Sequence, residues 1–89
     1  MRTAKITKHQ LEVADLIESV GDEDVRSEMQ SISYNYAQAL AGLRLAKNFL
    51  TKVETETGMD HQELNDQIVD LYKQIKATEI GLLEMCSNY

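Results

Sequence analysis

His61 and its acidic neighbours are the residues whose types and spacing could hold a metal ion. His61 lies between Asp60 and Glu63, so three potential ligands fall within one helical turn. Asp60 and Glu63 also have the spacing of a capping box, in which two side chains bind the free backbone N–H groups at a helix start. Because capping engages both carboxylates and turns His61 outward, the spacing favours a helix start over a metal site. We expect no metal and no other cofactor.

Carboxylates three or four residues apart recur along the chain and resemble the acidic pairs of a magnesium site. They are Glu12 with Asp15, Glu63 with Asp66, and Asp66 with Asp70. A magnesium-dependent hydrolase gathers four or more acids around a cavity, whereas most acids here fall on helix faces away from the apolar seams. A solvated acidic surface is therefore the better interpretation.

Residues that could act as nucleophiles lack the neighbours that would activate them. Ser27, Ser31 and Ser33 have no histidine and acid at a spacing that suits a catalytic triad. Cys86 has no basic neighbour to favour its thiolate, and as the one cysteine it cannot form an internal disulfide. The sequence therefore predicts a protein that is not an enzyme and that suits a cytoplasmic setting.

Composition favours a small helical domain. The 89 residues include 43% apolar residues, no proline and one phenylalanine, a balance typical of helices rather than strands. Fifteen acidic residues against nine basic ones give a net charge of −6, which disfavours direct nucleic-acid binding because phosphates would be repelled. No apolar run approaches the length of a membrane span, so we expect a soluble protein that does not contact a membrane.

Capping signals divide the chain into three helices. Thr7 with Gln10 forms a capping box, and Gly21 is the expected end of a first helix over about residues 8–20. Asp22 or Asp24 is the expected N-cap of a second helix over about 24–56. Gly58 stops that helix, and a third follows over about 61–86.

The second and third helices carry sustained heptads, which predict that they pack along their length as an antiparallel hairpin. The predicted seam of the second helix is Val25, Met29, Ile32, Tyr36, Ala39, Leu43, Ala46, Leu50 and Val53. That of the third helix is Leu64, Ile68, Leu71, Ile75, Thr78, Leu82 and Met85. The second helix is longer by about 10 Å at ~1.5 Å per residue, so the first helix is expected to cover its unpaired end at Val25 and Met29. The fold class predicted for residues 1–89 is all-α, a three-helix, coiled-coil-like bundle forming one domain.

Apolar and small residues off the seams predict contacts with another chain. An apolar stripe on more than one face needs more than one neighbour, and so small a bundle is close to the limit of self-sufficiency. The candidate partner-binding residues are Tyr34, Leu40, Gly42, Leu45, Phe49 and Tyr72. Gly42 with Ala46 would let another helix come close; alternatively, Gly42 is exposed and merely tolerated.

Acidic residues concentrate near the start of the second helix and around the hairpin turn. Asp22, Glu23 and Asp24 belong to the first group, which is either an ordinary helix N-terminus or a patch for a basic partner. The first hypothesis is therefore a protein-interaction module, self-associating as a homodimer, that regulates or inhibits a partner protein. The alternative is an acidic mimic of nucleic acid that inhibits a host DNA- or RNA-binding enzyme; such a protein would be viral, encoded by a phage and located in the host cytoplasm.

Overall fold

Three helices make up the part of the protein that the computed structural model describes, residues 7–88. They are α1 (Lys8–Glu18), α2 (Glu23–Thr57) and α3 (Gln62–Ser87), so the all-α prediction is confirmed and the predicted bounds agree to within two residues. Helices α2 and α3 form the hairpin, and α1 packs against both of them. The basic residues Arg2 and Lys5 and the C-terminal Tyr89 lie outside the described residues.

Three of the predicted caps are present. The Thr7 backbone N–H donates to Gln10 Oε1 at 2.8 Å, and the Gln10 N–H donates back to Thr7 Oγ1 at 3.2 Å, which completes the capping box of α1. Asp22 Oδ1 accepts from the Asp24 N–H at 2.9 Å at the start of α2. Gly58 ends α2 in the left-handed region, at φ 74, where a residue without Cβ is least strained.

Gly21 is not the cap of α1, contrary to the prediction. The helix already ends at Glu18, and Ser19 Oγ donates to the carbonyl of Leu16 at 2.7 Å. Val20 has left the helix, yet its side chain is buried. Arg26 Nε and Nη2 donate to the Val20 carbonyl at 3.1 and 2.6 Å, so the turn is fixed by an arginine of α2 rather than by a glycine.

The capping box predicted at the start of α3 does not form. His61 occupies the N-cap position without a side-chain cap, while Asp60 Oδ1 accepts from the Gln62 N–H at 2.9 Å. Glu54 of α2 binds this end instead, because its Oε1 accepts from the His61 N–H and from Asn65 Nδ2, both at 3.1 Å. A cross-helix carboxylate thus replaces the local cap.

The core lies at the end of the hairpin away from its turn, where α1 crosses both long helices. Val13 and Ile17 of α1 and Val20 after it pack with Met29 of α2 and Leu83 of α3. Met29 and Leu83 are 0% exposed. The prediction that α1 covers the extra length of α2 at Met29 is confirmed.

The seam of α2 departs from the predicted heptad after Tyr36. Leu40 is buried, at 5% exposure, whereas Ala39 and Ala46 are exposed. Leu40 lies on the side of α2 that faces Val13 and Ile17 of α1. Packing of α1 therefore draws Leu40 inward and leaves Ala39, on the other side of the seam, exposed. Leu40 was expected on an outward, partner-binding face; this placement is wrong, because Leu40 lies between the three helices.

The seam of α3 is also rotated from the predicted one. Ile68, Ile75 and Leu82 are half-buried as expected, but the alternate seam positions Leu64, Leu71, Thr78 and Met85 are exposed. The residues that follow them are less exposed: Asn65, Tyr72, Glu79 and Cys86. The reason is that α3 packs against α1 as well as α2, so its buried arc is centred between two neighbours rather than on one.

Gly42 is a position where we expect stability to rise on substitution. It lies inside α2, and a Cβ built there meets nothing within 4 Å. Since glycine costs ~1 kcal/mol relative to alanine in a helix interior, Gly42→Ala should raise the free energy of unfolding by about 0.5–1 kcal/mol in urea titrations followed by circular dichroism. Gly81→Ala in α3, equally unobstructed, is the matched variant. A loss of stability in Gly42→Ala alone would show that another chain packs closely against Gly42.

Candidate protein-binding face

One side of the hairpin carries no charge and is not covered by α1. Successive residues of a helix are rotated by ~100° about its axis, which places Ala39, Ala46 and Val53 on one side of the α2 seam. Ser33, Ala37 and Arg44 lie on the other side, which faces α1. The same geometry places Leu64, Leu71 and Met85 of α3 on the side away from α1. We call this surface the uncharged face. It consists of Ala39, Leu43, Ala46, Leu50 and Val53 of α2, and of Leu64, Gln67, Leu71, Thr78, Leu82 and Met85 of α3.

The uncharged face exposes large side chains that a core would normally use. Leu64 and Leu71 are each 45% exposed and Met85 is 66% exposed. Leu43 and Leu50 are half-buried in the hairpin seam, and Leu43 also lines a cleft with Arg44 on the other side of the hairpin. A surface with nine apolar residues and no Lys, Arg, Asp or Glu over its eleven positions is typical of a protein contact.

The predicted heptads explain how this face arises. The residues that sequence analysis assigned to the hairpin seam divide into two sets in the structure: Leu43, Leu50, Ile68 and Ile75 turn partly inward, while Ala39, Ala46, Leu64 and Leu71 turn outward on one side. A heptad stripe wider than one seam is the pattern of a helix with two helical neighbours. Within residues 7–88 the hairpin supplies one of these neighbours, and α1 packs on the other side of the hairpin.

No family model, curated protein or solved structure matches the chain.

The outer stripe of α2, formed by Tyr34, Leu45 and Phe49, brings together three of the predicted contact residues. All three are exposed, at positions whose spacing places them on the side of α2 that faces away from α3. Lys52 Nζ lies 5.1 Å from the centroid of the Phe49 ring. Gly42 lies between this stripe and the uncharged face, and no side chain of the described residues approaches it.

The remaining predicted contact residues lie elsewhere. Tyr72 is half-buried on the α1 side of the hairpin, where Arg44 Nη2 donates to its hydroxyl oxygen at 3.3 Å. Asp22, Glu23 and Asp24 are exposed at the start of α2, and Asp22 is engaged as the helix cap. The candidate residues therefore do not form one site.

A buried polar pair that no sequence pattern signals joins α1 to α3. Glu79 is 3% exposed, and its Oε1 lies 2.7 Å from His9 Nε2, close enough for the imidazole N–H to donate to the carboxylate. The two residues are 70 positions apart, so no local spacing signalled the pair. Burial of a carboxylate in a helix whose other acids are solvated is the feature that sets it apart.

Two negative observations apply to residues 7–88. Over that range no three metal-ligating side chains from histidine, cysteine, aspartate or glutamate cluster together. Within the same range no helix is both long enough and apolar enough to cross a membrane.

Proposed function

We propose that this protein is an interaction module that works as a homodimer, in which two hairpins pack their uncharged faces together. The observation that supports it is the continuous uncharged surface on α2 and α3, opposite α1. Packing one two-helix layer on another produces a four-helix arrangement with each α1 on the outside. In this arrangement α2 and α3 each pack against a helix of their own hairpin and a helix of the second copy, which accounts for an apolar stripe wider than one seam.

Charge and area both favour a second copy as the occupant. Two chains of net charge −6 repel one another, so they associate best through a surface that carries no charge. The face extends over the 22 residues from Leu64 to Met85 on α3, about 32 Å of helix, and from Ala39 to Val53 on α2, about 21 Å, with each helix about 10 Å wide. This gives about 500 Å² per copy, and a dimer would bury about 1,000 Å², the lower limit for a specific interface.

The outer stripe of α2 stays exposed in such a dimer, and we propose it as the contact for a partner protein that the module regulates or inhibits. Tyr34 and Phe49 supply aromatic area, and Lys52 beside Phe49 adds a cation. The alternative, a mimic of nucleic acid, is less well supported. Arg44, Lys47, Lys73 and Lys76 interrupt the acidic surface with a basic patch on the α1 side of the hairpin.

A pair of substitutions on α3 tests the homodimer. Leu71 on the uncharged face and Val69 on the other side of the helix are 45% and 37% exposed, so either tolerates a glutamate in the monomer. In the dimer Leu71→Glu buries an unpaired carboxylate, which costs several kilocalories per mole. We expect the wild type and Val69→Glu to have twice the 10.1 kDa chain mass in light scattering, and Leu71→Glu to have the mass of one chain.

Salt dependence distinguishes the two functional hypotheses. Dimerisation through an uncharged face should change little between low and high salt, whereas binding by a nucleic-acid mimic should weaken steeply. A dimer that persists in Leu71→Glu, or a wild type that is monomeric at high concentration, would contradict the homodimer.

A further inference from the structure

A cleft opens on the α1 side of the hairpin, away from the uncharged face. It has a volume of about 370 Å³ and lies between one side of α1, from Thr7 to Ile17, and the facing sides of α2 and α3. The apolar part of its buried lining comes from Val13, Ile17 and Leu40, and the buried Glu79 lines it as well. Arg44 is the exposed cation at its rim, and half-buried Lys76 and Tyr72 lie beside it.

Tyr72 organises the cations of this cleft. Arg44 Cζ lies 5.9 Å and Lys76 Nζ 4.9 Å from the centroid of its ring, so one aromatic ring holds two positive groups. A second cleft of about 290 Å³ shares all three residues and adds Lys47 and Lys73 to its lining. Four of the nine basic residues of the chain therefore line the two clefts that share Tyr72.

The positive charge at these clefts is not neutralised within the described part of the chain. Among residues 7–88, no carboxylate lies within 4.0 Å of the charged groups of Arg44, Lys47, Lys73 or Lys76. The one acidic residue in the lining of either cleft is Glu79, which His9 already engages at 2.7 Å. Like charges gathered around one ring repel one another, and an anion placed between them would relieve that repulsion.

We propose that this cleft binds a small organic anion, with its carboxylate or phosphate at Arg44 and Lys76 and its apolar body over Leu40 and Val13. The volume suits a small molecule, and a few convergent polar groups on an apolar floor are the usual composition of such a site. Arg44 provides directed N–H donors, Lys76 a point charge, and the Tyr72 hydroxyl a further donor. Carboxylate and phosphate are both recognised by these donors, and the experiment compares the two head groups directly.

The test titrates the full chain with four probes and follows backbone amide shifts by NMR. The probes are benzoate, phenyl phosphate, inorganic phosphate and neutral benzyl alcohol. We expect the two aromatic anions to shift the amides of Arg44, Tyr72, Lys76 and the first turn of α1, and whichever of them binds more tightly identifies the head group. Inorganic phosphate and benzyl alcohol should each bind at least about tenfold more weakly, a difference of about 1.4 kcal/mol, because each supplies only half of the recognised chemistry.

Matched variants distinguish binding at the cleft from nonspecific attraction of an anion to positive charge. Arg44→Gln and Lys76→Gln should each weaken the aromatic anions about tenfold, whereas Lys52→Gln, which removes a cation beside Phe49 outside both clefts, should leave affinity unchanged. Equal binding of benzyl alcohol and benzoate, equal losses in all three variants, or no shift by any probe at millimolar concentration would overturn the proposal. So would inorganic phosphate that binds as tightly as phenyl phosphate, since the apolar floor would then take no part.

Discussion

Met29→Ala is expected to remove about 2–5 kcal/mol from the free energy of unfolding. Met29 is 0% exposed at the point where α1, α2 and α3 meet, so shortening it leaves a cavity among groups that the rest of the fold holds in place. Domains of this size have a total stability of about 5–10 kcal/mol, so the variant loses a large fraction of it. Urea titration at a fixed chain concentration should show the midpoint falling with little change in slope.

Met59→Ala is the matched control for this prediction. Met59 follows Gly58 in the hairpin turn and is exposed, so its truncation should change the unfolding free energy by no more than about 0.5 kcal/mol. The contrast tests where the core lies. If Met29→Ala were as mild as Met59→Ala, then α1 would not pack over the end of α2, and the main core would have to lie along the hairpin seam.

Met29 also illustrates what the sequence was able to predict. The excess length of α2 left Val25 and Met29 without a hairpin partner, and a short connection allowed only α1 to reach them. Capping signals at Thr7, Asp22 and Gly58 are local, because they depend on residues two to four positions apart, and all three were found. Element type, order and bounds followed from such signals.

Leu40 and Leu71 mark where sequence reasoning failed. A heptad fixes which residues share a broad stripe, but it does not fix the rotation of a helix about its axis by one position. That rotation depends on how many neighbours the helix has, and α1 draws Leu40 and Glu79 inward at the expense of Ala39 and Thr78. The uncharged face and the basic clefts both depend on this rotation, so neither can be predicted from the heptad pattern of a single helix.

His9→Ala is expected to cost about 3 kcal/mol, even though the histidine side chain contributes little apolar area. Its removal leaves the buried carboxylate of Glu79 without the partner that lies 2.7 Å away, and an unpaired buried charge is among the most costly defects in a folded protein. The loss should appear in urea unfolding of the full chain. Glu79→Gln should cost less, because the amide oxygen still accepts a hydrogen bond and carries no charge.

The double variant His9→Ala with Glu79→Leu completes a thermodynamic cycle. Leucine suits a site at the junction of α1 and α3 that is otherwise lined by Val13, Ile17 and Leu40, so the double variant should recover most of the stability lost in His9→Ala. If histidine truncation cost the same whether residue 79 is glutamate or leucine, the pair would have no coupling energy, and the contact at 2.7 Å would have no role in stability.

Recovery of stability in the double variant would leave the question of what the pair does in the wild type. An apolar pair buries its area in many orientations, whereas a hydrogen bond between His9 and Glu79 fixes the N-terminal turn of α1 in one position relative to α3. That turn forms one wall of the basic cleft. We therefore expect the double variant to unfold much like the wild type but to bind phenyl phosphate more weakly than the wild type does. Equal affinity in both would show that the pair does not position the wall of the cleft.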